Sequence, residues 1–191
     1  MILSLLKAGA RLVLKVQRCW EIQGSENIPV TGGVLLAANH VSYWDPVAIV
    51  CAIERQVYFM AKAELFNIPI IGYAVRVSGA FPVRRDATDR RALRTALRLL
   101  QQGEVVGIFP EGTRNKSEGT LQPHLGAAML ALKTGVPVVP IAVIGSRGVI
   151  GKLIVRIGQP LHFEMALKPS KDELEKISGR IMQDINLLLK I

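Results

Sequence analysis

Five consecutive apolar residues, Val34–Ala38, follow a turn-rich stretch at 23–33 (QGSENIPVTGG), and such a run bounded by glycine and proline predicts a buried strand. Similar apolar runs at 57–61 (VYFMA) and 104–110 (EVVGIFP) predict two more strands, and 81–85 (FPVRR) predicts a short one. Between them the period lengthens. A helix is expected from about Pro46 to Glu54, and a broken one over 64–80, where Pro69, Gly72 and Gly79 interrupt a greasy segment. Residues 88–102 carry the clearest helical stripe, with Leu93, Ala96, Leu97 and Leu100 on one side, Thr88 as the expected cap and Gly103 as the stop. A short small-residue helix at 124–135 leads into 136–145 (VPVVPIAVIG), whose prolines argue against a regular central strand through its first half. A further strand at 152–158 and a capping box from Ser170 to Glu173 opening a last helix complete the chain.

Strands alternating with helices, without repeats or low-complexity tracts, predict an α/β fold: a single layered domain with a mixed, mainly parallel sheet flanked by helices. The first 20 residues read differently. Lys7, Arg11, Lys15 and Arg18 fall within an arc of about 80° at 100° per residue, opposite Leu5, Leu6, Leu12, Val13, Val16, Cys19 and Trp20. Residues 1–20 are therefore expected to form a basic amphipathic helix lying in a membrane interface, its cations reaching lipid phosphates, with the main domain at 21–191. The interspersed charges leave no clean signal-peptide core, and no stretch has the 18 or so apolar residues of a spanning helix.

Composition sharpens this. Half of the 191 residues are apolar, yet the net charge is +9. A greasy, basic chain implies an anionic partner: a membrane surface, a nucleic acid or a phosphorylated substrate. Nucleic acid explains only the charge, since aromatic residues make up 5% and no recognition motif accompanies the arginines. Cys19 and Cys51 form neither a disulfide framework nor a metal-ligand set, and His124 and His162 have no spaced partners, so no metal site is expected.

The chemistry gathers where strands end. His40 and Asp45 follow the strand at Val34–Ala38, and a turn into the next helix would fold the carboxylate back onto Nδ1, leaving Nε2 outward as a base. No nucleophile elbow surrounds Ser42, so the activated hydroxyl is expected on the substrate. Residues 109–114 (FPEGTR) end another strand with Glu111 and Arg114; the arginine can fork onto a phosphate, while the glutamate either orients it or holds a polyol hydroxyl. Arg84 beside Arg114 would complete a phosphate clamp, with Lys62 adding charge, and Arg90, Arg91, Arg94 and Arg98 are left for membrane or acidic-carrier contact.

Four blocks, NHVSYWD (39–45), GAFPVRR (79–85), FPEGTR (109–114) and VPVVPIA (136–142), resemble in order those of the glycerolipid acyltransferases. The resemblance implies transfer of a fatty acyl group to the free sn-2 hydroxyl of 1-acyl-glycerol-3-phosphate, giving phosphatidate, with His40 and Asp45 catalytic. It implies substrate binding by Lys62, Arg84, Glu111, Gly112, Thr113 and Arg114. It implies no cofactor, the acyl donor being acyl-CoA or acyl carrier protein. The expected partners are thus lysophosphatidate or a related lysolipid, the thioester donor and an anionic membrane, at the cytoplasmic face as a peripheral or monotopic protein. Another lysolipid acceptor, or a non-catalytic lipid-binding role, are the competing readings. Where relatives carry an aromatic residue and a lysine after the third block, this chain has His124 and Leu125.

Overall fold

The computed structural model describes residues 2–84, 89–115 and 121–190, with side chains from residue 4 onward. Helix α1 (Ile2–Arg18) leads to strand β1 (Glu21–Gln23), then β2 (Val34–Ala38), α2 (Trp44–Ala52) and β3 (Val57–Lys62). A 3₁₀ turn and α3 (Pro69–Val77) replace the single broken helix, parted where Pro69 opens a new first turn. Strand β4 (Phe81–Val83), α4 (Arg90–Gln101), β5 (Val105–Ile108), α5 (Gly126–Thr134), β6 (Val138–Ile144), β7 (Ile154–Ile157) and α6 (Lys171–Lys190) follow.

The seven strands form one sheet in the order β1-β7-β6-β2-β5-β3-β4. Every pairing is parallel except β6 with β7. All five residues of β2 are buried, as a strand covered on both faces requires. Val34, Leu36 and Ala38 pack with residues of α1 and α2, while Leu35 and Ala37 pack with α4, α5 and α6. The sheet therefore separates two helical layers.

Three expectations need correction. Strand β6 is regular and central despite Pro140, which pairs with Ala37 of β2. The proline ring sits where the ladder needs no donor: its carbonyl faces the other neighbour and accepts from Gly158 N–H at 2.8 Å, just past the end of β7. Thr88 and Arg85 lie outside the described residues. The cap of α4 is Asp89, whose side chain accepts from the Arg91 and Ala92 N–H groups and, at 2.9 Å, from that of Arg84. These bonds hold the Asp89 carboxyl below its ordinary pKa, Arg84 N–H foremost.

The third correction concerns α1. Three of its four cations turn inward instead of toward lipid phosphate. Arg11 Nε donates to Cys51 O at 2.9 Å, and Lys7 Nζ donates to Ile53 O at 3.1 Å, so both serve the carbonyl end of α2, where helix geometry leaves acceptors and partial negative charge. Burial, with Arg11 nearby, lowers the Lys7 pKa. Arg18 is fully buried and donates to the carbonyls of Gly145, Gly148 and Gly151 in the loop after β6. The opposite face is left outside, with Leu5 67%, Leu12 64% and Val16 72% exposed. Only Lys15 of the four stays exposed without such a bond.

Candidate active site

Parallel strands place their carboxyl ends together: β2, β4 and β5 deliver the first three sequence blocks, and β3 delivers Lys62, to one edge of the sheet, while the fourth block runs along β6. Asn39 extends β2 beyond its last residue. Its amide donates to Val143 O at 3.0 Å and accepts from Val143 N–H at 2.7 Å, so a side chain continues the ladder to β6 and sets where His40 begins. The chain then turns: Asp45 Oδ2 accepts from Val41 N–H and Ser42 N–H, each at 2.7 Å, and lies 2.8 Å from His40 Nδ1. Asp45 is fully buried in the first turn of α2, where the helix dipole favours its negative charge. With Nδ1 held by a carboxylate, the ring carries its proton there, and Nε2 is the acceptor.

The block after β5 clamps this histidine. His40 N–H donates to Glu111 Oε1 at 3.3 Å, and Asn115 N–H donates to His40 O at 2.7 Å. Phe109 stacks on the imidazole, centroids 4.0 Å apart, and is itself stacked on Phe59. Glu111 is buried, and among the described residues its Oε2 has no hydrogen-bond partner. Burial raises its pKa, against the lowering effect of its hydrogen bonds, that from His40 N–H foremost. Among the described residues no ion pair joins Glu111 to Arg114, so the carboxylate holds the histidine's peptide rather than the arginine.

Gly112 has φ 67, and a Cβ there would meet the His124 ring at 2.5 Å. The turn needs glycine for both conformation and space. His124 thus packs against the third block, its N–H on Pro110 O at 2.8 Å, at a place its sequence neighbours do not indicate. Thr113 is exposed. The Arg114 guanidinium lies over the Tyr43 ring at 3.7 Å, a cation–π contact that leaves the in-plane N–H donors available.

Lys62 ends β3 and sits in register with Val83, so Arg84 is the next residue along the neighbouring strand. Both reach the same edge, but Lys62 Nζ lies 3.2 Å from Glu64, and the exposed Arg84 does not line the cavity described next. Among the described residues no group of three or more His, Cys, Asp or Glu side chains is placed to hold a metal ion.

A cavity of about 420 Å³ opens at His40, Tyr43, Lys62 and Arg114. It runs between α1, α2, α3 and β3 over Val47, Val50, Phe59 and Val75, a mainly apolar lining to which Lys7 and Ser78 add further polar groups. Around it α1 exposes the residues above and α3 exposes Ile70 at 84% and Tyr73 at 55%. No helix among the described residues is long and apolar enough to cross a membrane. Sequence reasoning did not single out Phe109, Tyr43 or Asn115; all three lie within or beside the motif blocks, but only their contacts show what they do.

The sequence model of the family described as Acyltransferase matches residues 19–144, from just after α1 to the end of β6. The chain is 34% identical over 185 residues to the 1-acyl-sn-glycerol-3-phosphate acyltransferase of Bacillus subtilis (strain 168), covering 93% of this chain and 92% of that one. It is 28% identical over 191 residues to the protein of the same name from Borreliella burgdorferi, covering 96% and 73%. Among solved structures, the 1-acyl-sn-glycerophosphate (LPA) acyltransferase PlsC from Thermotoga maritima superposes with a TM-score of 0.77 at 27% identity, covering 98% of this chain and 78% of that chain.

Proposed function

The chain belongs to the acyltransferase family, and from that premise we propose that it acylates the free sn-2 hydroxyl of 1-acyl-glycerol-3-phosphate from an acyl thioester, with His40 as general base. The observation that carries the reading is an oriented His40–Asp45 pair, 2.8 Å apart, whose histidine lines a mainly apolar cavity that Arg114 also lines. Among the described residues no protein nucleophile is paired with the imidazole: Ser42 Oγ accepts from Trp44 N–H at 3.2 Å in the turn that starts α2. The nucleophile then arrives on the lipid.

His40 Nε2 takes the hydroxyl proton as that oxygen attacks the thioester carbonyl. Collapse of the tetrahedral intermediate breaks the C–S bond, and the imidazolium returns the proton to the leaving thiolate. Asp45 stabilises the imidazolium without being protonated itself. The phosphate is held by Arg114, with Arg84 and Lys62 at the same sheet edge; Lys62 exchanges its contact with Glu64 for the phosphate. The acyl chain lies in the cavity. Its surroundings support peripheral binding in one leaflet: α1 and α3 bury their outward leucine, isoleucine and tyrosine side chains in the acyl–headgroup boundary, at the cytoplasmic face where the thioester donor, acyl-CoA or acyl carrier protein, is met.

The test is acyl transfer by the purified protein in mixed micelles, lysophosphatidate against lysolipids lacking a terminal phosphate. Phosphatidate should form, and His40→Ala, checked for unchanged folding, should lower kcat by about 10²–10⁴-fold. Full turnover by that variant removes the base role; equal rates on phosphate-free acceptors remove the phosphate clamp.

A further inference from the structure

Helix α4 carries Arg90, Arg91, Arg94 and Arg98, and all four side chains are exposed. At 100° per residue they span an arc of about 100°, and from Arg90 to Arg98 they extend about 12 Å along the helix. Among the described residues none of the four is in an ion pair. The nearest acid in sequence, Asp89, is engaged by the N–H groups of Arg84, Arg91 and Ala92. Four exposed arginines without an ion pair among the described residues are a concentrated positive field, and like charges at i,i+4 cost helix stability instead of adding to it.

The place of the stripe narrows what it meets. Helix α4 packs on the sheet face opposite α1 and α2, while the exposed apolar residues of α1 lie on the other layer. No large hydrophobic residue of α4 is among those strongly exposed, so this face has nothing to insert into lipid. A spread of about 12 Å exceeds one phosphate cluster and matches the i,i+4 spacing of carboxylates on a facing helix, to which guanidinium groups bind in forks. The helix also begins at the functional edge: its cap Asp89 holds Arg84 N–H at 2.9 Å, one residue beyond the Val83 that pairs with Lys62. A partner docked on α4 can therefore extend a flexible thioester arm over that edge toward His40.

We propose that the arginine face of α4 is the docking surface for an acidic carrier protein that presents the acyl group as its thioester. This rests on the acyl-transfer reading above and assigns the donor's protein-binding surface. It separates the two donors by mechanism, because a free coenzyme thioester has no acidic protein surface to engage the stripe.

The test uses the full chain in detergent micelles and the same acyl group on two donors, coenzyme A and acidic acyl carrier protein. Arg94→Glu/Arg98→Glu, the pair farther from the site edge, is compared with Arg94→Lys/Arg98→Lys. Direct titration of the acyl carrier protein should show at least about tenfold weaker binding to the glutamate variant and partial retention by the lysine variant. The carrier-dependent kcat/KM should fall in parallel and lose its salt dependence, while kcat/KM with the coenzyme A donor stays within about twofold. Carrier binding by wild type and glutamate variant alike overturns the proposal, as does an equal loss with both donors. Loss of binding to anionic vesicles without loss of carrier binding would assign the stripe to a membrane and also overturn it. If wild type transfers acyl groups from neither donor, the acyltransferase reading falls, and the docking surface is still judged by the binding titration.

Discussion

Helices α1 and α4 share one kind of sequence pattern, a row of cations opposite a row of leucines and alanines, and the fold mounts them in opposite senses. In α4 the apolar side faces the sheet: Ala92, Ala96 and Leu100 are buried and the arginines are outside. In α1 the cations face the protein and Leu5, Leu12 and Val16 face out. The difference lies in what each helix lands on. Helix α4 covers the apolar face of β4 and β5, so burying its leucines is favourable by area. Helix α1 lands on the carbonyl end of α2 and on the carbonyl-rich loop after β6, surfaces that need donors. Amphipathicity states that a helix has two faces. The partner decides which one is buried.

The largest effect should come from emptying the cation site of α1. Arg18→Ala removes a fully buried side chain and its hydrogen bonds to the carbonyls of Gly145, Gly148 and Gly151, and should cost about 2–4 kcal/mol in denaturant unfolding. Arg98→Ala, the same substitution on α4, should stay within about 0.5 kcal/mol; similar losses at the two positions would break the contrast. Next, Leu12→Glu with Val16→Glu should weaken binding to anionic vesicles at least about tenfold while leaving unfolding unchanged, since each exposed side chain contributes about 1.5–3 kcal/mol when taken into an apolar phase. Unchanged vesicle binding would separate the outward face of α1 from any lipid contact.

Buried charge can be compared once more, at the site. Glu111 has a raised pKa because burial outweighs its hydrogen bonds, so folding binds a proton more tightly than the unfolded chain does. Its ionised form therefore subtracts stability, an effect absent below the unfolded carboxylate pKa and growing as pH rises through the folded one. Glu111→Gln keeps an acceptor for His40 N–H and should gain stability relative to wild type across that rise, measured by urea midpoints at a series of pH values. A constant difference across pH would remove the burial account. Glu111→Ala, which removes the clamp, should lower kcat more than the glutamine does. The smallest effect belongs to α4: Arg94→Glu converts two like-charge i,i+4 neighbours into opposite pairs and should raise stability by a few tenths of a kcal/mol in low salt.

Much of the site was legible in the sequence because its parts are local. His40 and Asp45 are five residues apart, and a strand end followed by a helix brings them together at 2.8 Å. The capping box is equally local, with Ser170 N–H donating to Glu173 Oε2 at 2.7 Å. What escaped was nonlocal. Glu111 holds a peptide 71 residues earlier in the chain, and Asn39 bonds a strand 104 residues later. Pro140 looked like a break in a central strand because its permitted place depends on where a neighbouring strand stops, which period and propensity do not encode.

The sequence by itself determined the element types, the α/β layering and the ordered blocks that mark an acyltransferase, because hydrophobic period, caps and short-range spacing act within a few residues. The tertiary structure alone decided the register that gathers three of the blocks at one sheet edge and the clamp on His40. It also decided which face of each basic helix looks outward. Those choices depend on which donors and acceptors, dozens of residues apart, are left unmatched when the layers close, and burying an unmatched group costs more than exposing a leucine.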